Sequence, residues 1–486
     1  MWPEAHGQLY GMFRVLMKCR RSVLLALALN LGGCAESTES ARSEWAAGTP
    51  QSVASPVAVD LDHLERRVAD LLTEVYDRAV ASPNDGTRRG ELAIAYEVNG
   101  FTEAAMASYA QAEQLSSDDP RWAYFQAREF GRRGDLYEAL GAISGVLVLE
   151  PDHLPSLMWQ GTWLLAVGDT DGAERSFLRA KSLGQGWAAD ASLGKLLLQQ
   201  RRAADAIALL EPLSRTAPFP SVLHLLGSAY RQVGKEELSR IALARGRDRQ
   251  PVGWLDSWDD LKKPYRQSFE DRLREAQVQI RLHNLREAVS QLEQLLSEQP
   301  ENHVVLTTLS NTYVLTGEGQ RGFWLLRRAI EKSPAHHSIL VNIAAFYAAR
   351  GDTVTALEHL DSAIAAHPNG AQAYLRKARL LVAKGEWEPA LAAFDSALVH
   401  DASDVRPHVE AGDILLRLGR RDLAMIRYRN AITVDAAYLP AYLKYAEQLV
   451  KASDRGAART VLETALLIDA SSPRVLAALR GLDSDG

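Results

Sequence analysis

Residues 338–368 of the 486-residue chain read SILVNIAAFYAARGDTVTALEHLDSAIAAHP, and this stretch contains the pattern that decides the fold. Its first half has apolar residues at helical spacing and ends at Gly351, where glycine can take the left-handed conformation that closes a helix. A second helix is expected to begin at the capping residue Thr353 and to end before Pro368. Ala356 is small because the two helices approach each other there. The stretch therefore predicts a pair of packed helices.

The same pattern recurs along the chain in two series. In each series the residue that matches Ala356 is small, and successive members lie 34 residues apart, once 33. These positions are Ala105, Ala139, Ala173 and Ala206, then Ala288, Gly322, Ala356, Ala390, Ala424 and Ala458. Glycine lies five residues before most of them, but Arg201, His283 and Ser453 take its place in three turns. The period predicts eleven repeats, which start near residues 86, 120, 154, 187, 220, 269, 303, 337, 371, 405 and 439.

This pattern resembles the signature of the tetratricopeptide repeat (TPR) family, which combines a Leu-Gly or Leu-Ala step, a Tyr, a small Ala, an aromatic residue and a closing Pro. The first repeat matches it at Tyr96, Ala105, Tyr109 and Ala112, and the tenth at Gly412, Gly419, Ala424, Tyr428 and Ala431. The resemblance implies an all-α fold, a right-handed superhelical TPR solenoid of about eleven helix-turn-helix repeats in two arrays.

The domain organisation follows from where the period stops. Residues 247–268 break the phase, so we expect an N-terminal array, an aromatic spacer and a C-terminal array at 86–253, 254–268 and 269–472. A solenoid leaves an apolar face at each end, and these faces need caps. We assign a capping helix to 59–85 and a terminal cap to 473–486.

The N-terminal segment has the features of a secretory signal. A basic stub precedes an apolar run that is too short to span a bilayer and that ends in Leu31-Gly-Gly-Cys34. These four residues resemble a bacterial lipobox, which implies a signal peptide at 1–33, acylation of Cys34 and a disordered tether at 34–58. Ala35 then implies an outer-membrane lipoprotein that faces the periplasm. The alternative is an ordinary cleaved signal and a secreted or periplasmic protein. Three methionines are candidate initiators: Met1, Met12 and Met17.

The composition excludes several classes of function. With 55 Lys and Arg against 61 Asp and Glu, the formal net charge is −6, which argues against nucleic acid as a partner because that binding needs a basic surface. Both cysteines, Cys19 and Cys34, lie in the first 34 residues. The repeats can therefore hold neither a disulfide nor a cysteine-ligated metal.

Catalytic motifs are also missing from the sequence. The string from Gly317 to Gly322 matches a dinucleotide-binding fingerprint, but it spans a turn between two predicted helices instead of following a strand. His336 and His337 have no carboxylate or cysteine at ligand spacing. The repeats leave no stretch long enough for a catalytic domain. We therefore predict no enzymatic activity, no metal and no cofactor.

The TPR resemblance implies a concave groove lined by the first helix of each repeat. At the positions of these helices that would face the groove, the N-terminal array has mostly cations and one acid, Glu97. The candidate groove residues are Arg121, Tyr124, Arg128, Arg132, Lys195, His224 and Arg231. Such a groove suits an acidic peptide segment held by guanidinium groups. The alternative is that these are solvated charges on an unoccupied surface.

The spacer and the C-terminal array offer two further candidates. Trp254 and Trp258 lie beside Asp256, Asp259 and Asp260, and they are either binding hot spots or anchors that pin the spacer onto helices. In one version the acidic spacer lies in the cationic groove as an internal occupant. The matching positions of the C-terminal array are apolar, and they indicate either a groove for an amphipathic helix or burial between repeats. They are Leu273, Ile280, Val304, Val314, Leu315, Val341, Ala345, Ala348, Leu375, Val382, Val409, Leu416, Leu443 and Val450.

Together these features predict a membrane-anchored scaffold that captures peptide segments of partner proteins. Its membrane contact is through the lipid anchor only, and nucleic acid is not a partner. The alternatives are an assembly or pilot factor for an envelope complex, such as secretion, pilus or cell-wall machinery, and an adaptor for a glycan-acting enzyme.

Overall fold

The computed structural model describes residues 53–184, 186–247, 254 and 256–484. The signal peptide, the lipobox and most of the predicted tether lie outside these residues. The described part contains 24 α-helices and one 3₁₀ helix, Asp259–Tyr265. Residues Ser55–Gly486 form one compact unit. Within the described ranges, no helix combines the length and the apolar character that a membrane span requires.

The α-helices of the N-terminal array and its cap are α1 (Arg66–Ala81), α2 (Gly86–Val98), α3 (Thr102–Leu115), α4 (Pro120–Arg133), α5 (Leu136–Leu149), α6 (Leu154–Val167), α7 (Thr170–Ser182), α8 (Gly186–Gln199), α9 (Ala203–Thr216), α10 (Pro220–Gln232) and α11 (Glu236–Gly246).

The C-terminal array and its cap comprise α12 (Phe269–Arg281), α13 (Leu285–Glu298), α14 (His303–Leu315), α15 (Gly319–Lys332), α16 (His337–Ala349), α17 (Thr353–Ala366), α18 (Ala371–Lys384), α19 (Trp387–His400), α20 (Arg406–Arg417), α21 (Arg421–Val434), α22 (Leu439–Lys451), α23 (Arg455–Ile468) and α24 (Pro473–Ser484).

Successive helices pack as eleven pairs, from α2 with α3 to α22 with α23. Each pair starts within one residue of the position that the period predicts. The helix α1 packs against α2, and α24 packs against α23, as caps of a solenoid do. The structure therefore confirms the predicted all-α, TPR-like solenoid.

Close approach within each pair explains the small residues of the period. The alanines at this position are at most 1% exposed. At Gly322 an added Cβ would lie 2.7 Å from the carbonyl oxygen of Ser310 on the partner helix. No larger side chain fits there without separating the two helices.

The turns between paired helices take the left-handed conformation even where glycine is absent. Arg201, His283 and Ser453 have φ values of 60°, 61° and 65°. This conformation costs a non-glycine residue about 1–2 kcal/mol, so the packing of the helix pairs determines the turn.

The predicted capping role of Thr353 is wrong. The helix α17 begins at Thr353, but the cap is Asp352, whose carboxylate accepts a hydrogen bond of 3.1 Å from the backbone N–H of Thr355. Because Thr353 is the first helical residue, its hydroxyl lies too far along the chain to cap. It approaches the carbonyl oxygen of Gly351 instead, at 3.5 Å.

The two arrays also contact each other far from the spacer. Arg240, in the middle of α11, donates to the carbonyl oxygen of Ile432 at 2.9 Å, and Arg247, directly after α11, donates to that of Val434 at 2.8 Å. Both acceptors lie in the last turn of α21, whose carbonyl groups have no partner within the helix. Cations at a helix C-terminus are also favoured by the helix dipole. The last repeat of the N-terminal array is thereby fixed to the tenth repeat.

Candidate functional site: the N-terminal groove and its internal occupant

The spacer lies against the first helices of the first three repeats. Its 3₁₀ helix packs on α2, and its first half contacts α4 and α6. The spacer, which carries Asp256, Asp259 and Asp260 in its first half, thus occupies part of the groove whose lining is mostly cationic. This arrangement confirms the version of the sequence analysis in which the spacer is an internal occupant.

Arg128 and Tyr124, both on α4, hold the acidic part of the spacer. Tyr124 donates its hydroxyl to Asp256 Oδ2 at 2.5 Å. Arg128 Nη1 donates to Asp256 Oδ2 at 3.1 Å and to Asp259 Oδ1 at 2.8 Å. Such charge-assisted hydrogen bonds are about twice as strong as neutral ones.

The protonation states fit this arrangement. Burial, with the nearby Asp256 carboxylate, raises the pKa of Tyr124, so its hydroxyl stays a donor. Burial alone would raise the pKa of Asp259, but the positive charges of Arg128 and Lys262 outweigh it and lower that pKa. Asp259 is therefore ionised at neutral pH, and the cation of Arg128 faces an anion.

In a second ion pair the spacer supplies the cation and the groove supplies the anion. Lys262 of the spacer is 4% exposed, and its Nζ lies 2.5 Å from Oε1 of Glu97, the acid that the sequence places in the groove. The hydroxyl of Tyr109 donates to the other oxygen of Glu97 at 2.6 Å. Lys262 also lies over the ring of Phe125, 4.9 Å from its centroid. Groove and spacer are thus complementary for both signs of charge.

Aromatic contacts anchor the two tryptophans. Trp258 stacks on His153 with ring centroids 3.7 Å apart, and it meets Tyr124 edge to face at 5.0 Å. Trp254 meets Trp159 edge to face at 4.9 Å. Burial lowers the pKa of His153 to about 4, so its ring is neutral at pH 7. These contacts give Trp254 and Trp258 the anchoring role, and a hot-spot role in partner binding stays a prediction.

The spacer runs along the groove against the direction of the repeats. After Lys262, the carbonyl oxygen of Tyr265 accepts a hydrogen bond of 3.3 Å from Asn99, the residue that follows α2. Gln267 then accepts from Arg67 on α1 at 3.1 Å. The backbone N–H of Phe269 donates to Glu65 at 2.8 Å, so the C-terminal array begins beside the N-terminal cap.

Only two of the seven predicted groove residues hold the spacer. Arg121 pairs with Asp119 at 2.5 Å and Arg132 with Glu129 at 2.7 Å, both near in sequence. The other three are exposed on α8 and α10, and within the described ranges no ion pair engages them. They are Lys195, His224 and Arg231. Among the described residues, the spacer thus fills the groove over the first three repeats and leaves these three side chains of the last two repeats exposed.

Sequence reasoning missed three residues of this site, namely His153, Trp159 and Lys262. Trp159 belongs to the third repeat and His153 directly precedes it, and their aromatic character was the available signal. Lys262 lies in the middle of the predicted spacer, and its burial against Glu97 follows only from the path of the chain.

The apolar positions of the C-terminal array divide by exposure. Val304, Val314, Leu315 and Val450 are exposed, whereas Val341, Leu375 and Val409 are buried between helices. The remaining seven are half-buried. Burial between repeats therefore accounts for Val341, Leu375 and Val409, and a groove for an amphipathic helix stays a prediction.

The described residues contain no group of three metal-ligating side chains. The ring of His336 lies 3.7 Å from that of His303, and burial lowers its pKa. Gly317 has the left-handed conformation of a turn between α14 and α15. The string that begins there thus has the helix-to-helix context expected from the repeat.

Comparison with known proteins agrees with the fold. Residues 347–411 match the family model of the tetratricopeptide repeat. No curated protein matches the chain. The matched segment runs from α16 to α20, and the described helix pairs have a TPR-like fold.

Solved structures similar to the chain include the following three. Yeast Tom70 is 12% identical, with 85% of this chain and 95% of that chain covered and a TM-score of 0.39. PilW, described as a widely conserved type IV pilus biogenesis factor, is 17% identical, with coverages of 44% and 99% and a TM-score of 0.38. YrrB, described as a TPR protein with an unusual peptide-binding site, is 16% identical, with coverages of 39% and 97% and a TM-score of 0.32.

We predict that Arg128→Ala lowers the free energy of unfolding by about 2–3 kcal/mol, because two partly buried spacer carboxylates lose their cation. Urea unfolding of the full chain measures this change. The matched control is Arg231→Ala, an exposed cation of the same groove, which we expect to change the value by less than about 0.5 kcal/mol. Equal effects of the two substitutions would contradict the assigned role of Arg128.

Proposed function

We propose that the protein is a non-enzymatic, membrane-anchored scaffold that captures acidic peptide segments of partner proteins in the N-terminal groove. The observation that carries this proposal is the internal occupant. A segment with carboxylates and tryptophans already lies in the groove, held by Arg128 and Tyr124. The chain itself thus provides an example of the ligand chemistry that the groove accepts.

The open part of the groove offers the same chemistry to a partner. Lys195 on α8 and Arg231 on α10 are exposed, and no ion pair with a described residue occupies them. His224 lies on the same face and adds a hydrogen-bonding ring. An extended segment with two or more carboxylates complements these groups, because lysine and arginine bind carboxylates by charge-assisted hydrogen bonds.

We expect the partner segment to bind beside the spacer and not to displace it. Displacement of the spacer would break the ion pair between Glu97 and Lys262, which is 4% exposed. Breaking a buried ion pair costs about 3–5 kcal/mol, and the stacking of Trp258 on His153 would be lost as well. A partner gains more by occupying the empty part of the groove.

The membrane anchor is the second part of the proposal. It rests on the lipobox resemblance of Leu31-Gly-Gly-Cys34, which lies outside the described residues. An acyl group on Cys34 and the Ser- and Ala-rich residues that follow would let the solenoid stand away from an outer membrane. The roles as an assembly factor or as an adaptor for a glycan-acting enzyme stay predictions.

The groove proposal predicts binding of a fluorescein-labelled hexaglutamate peptide, measured by fluorescence anisotropy, with an affinity that falls as salt rises. The double variant Lys195→Glu, Arg231→Glu should weaken binding by about tenfold or more, because two attractive charges become repulsive. The charge-matched control is Arg175→Glu, Arg286→Glu, which alters two exposed cations on second helices. Equal weakening in both variants, or no binding to the wild type, would refute the groove proposal.

The anchor proposal predicts that a clickable fatty acid labels the full chain in a bacterial host and that Cys34→Ser abolishes the label. Cys19→Ser should leave it unchanged, because Cys19 precedes the predicted cleavage site. A label that survives Cys34→Ser would rule out acylation at this residue without affecting the groove proposal.

A further inference from the structure

A separate pocket lies between α13, α14 and α15 in the sixth and seventh repeats. Its volume is about 660 Å³, within the range of about 300–1,000 Å³ that small-molecule sites occupy. The floor is apolar and is formed by Leu296, Leu306, Leu309 and Leu325. None of these residues belongs to the spacer groove, so the pocket is independent of the proposed function.

Two ion pairs close the pocket at its ends. Arg321 of α15 reaches Glu293 of α13 at 3.0 Å, and Lys332 at the end of α15 reaches Glu301 at 2.5 Å. Both pairs bridge the two walls. The space between them is therefore a bounded trough, which suits a ligand of limited length better than a long peptide helix.

The exposed Trp324 is the first unusual residue of the pocket. It is 58% exposed, and Arg327 lies 5.4 Å from its ring centroid. The repeat does not require an aromatic residue at this position. In the other repeats of the C-terminal array the position is occupied by Ser290, Glu358, Ala392, Ile426 and Thr460. An exposed tryptophan beside an apolar floor is a typical ligand contact.

Arg328 is the second unusual residue. It lines the pocket between the two closing ion pairs, is exposed and has no ion-pair partner among the described residues. The matching positions in the other repeats of this array are uncharged, namely Gln294, Ser362, Ser396, Asn430 and Thr464. Among the described residues, Arg328 is thus the one unpaired cation at the edge of the apolar floor. The other two cations of the pocket, Arg321 and Lys332, form ion pairs with Glu293 and Glu301.

We infer that this pocket binds a free fatty acid of about twelve carbons. The acyl chain lies over the leucine floor beneath Trp324, where its burial removes apolar surface from water. The carboxylate pairs with the guanidinium of Arg328 through charge-assisted hydrogen bonds. A ligand with one anionic group and one apolar chain matches the single unpaired cation and the bounded length of the trough.

Isothermal titration calorimetry with laurate tests this assignment. The protein is the full chain with Cys34→Ser, so that no acyl group of its own competes for the pocket. We expect saturable binding of one laurate per chain. Arg328→Ala should weaken laurate binding about tenfold but leave dodecanol binding unchanged, because dodecanol lacks the carboxylate. Trp324→Ala should weaken the binding of both ligands.

The matched control is Ile426→Ala, which removes an exposed apolar side chain at the equivalent position of the tenth repeat. It should leave laurate binding unchanged. The assignment is overturned if the Cys34→Ser chain shows no saturable laurate binding. It is also overturned if Arg328→Ala weakens dodecanol as much as laurate, or if Ile426→Ala acts like Trp324→Ala.

Discussion

The contacts of Arg128 with Asp256 and Asp259 are the interaction on which the arrangement of the two arrays depends. They hold the spacer along the groove, and the spacer in turn places the first helix of the C-terminal array beside the N-terminal cap. At the other end, Arg240 and Arg247 fix α11 to the last turn of α21. The two arrays are thus joined at both ends of the N-terminal array.

Because of this arrangement, the cationic groove is divided into a part that the spacer occupies and a part whose cations are exposed. Its first repeats are filled by the spacer, and its cations there contribute to the fold. Its last two repeats keep Lys195 and Arg231 exposed, and these are the groups that a partner can reach. In the proposed function, one repeated surface thus has a structural use over its first repeats and a binding use over its last two.

Much of the fold could be predicted because the same residue pattern recurs in successive repeats and each repeat forms the same pair of helices. The period of the repeat predicted the starts of eleven helix pairs, and even Ser453 takes the turn conformation of the glycines it replaces. The site was harder to predict. Arg128 follows from its position in the repeat, but its partners lie more than 120 residues away in a segment outside the period. Arg121 pairs locally with Asp119, two residues away, and its role in the groove stays a prediction.

A double-mutant cycle between Arg128 and Asp259 tests the central claim most directly. The free energy of unfolding is measured by urea for Arg128→Ala, Asp259→Ala and the double variant. Direct contact predicts a coupling energy of about 1–2 kcal/mol, because residues of one ion-pair network are not additive. The same cycle between Arg231 and Asp259 should give a value near zero. Additive effects of Arg128→Ala and Asp259→Ala would contradict the claim that the spacer is held in the groove by this ion pair.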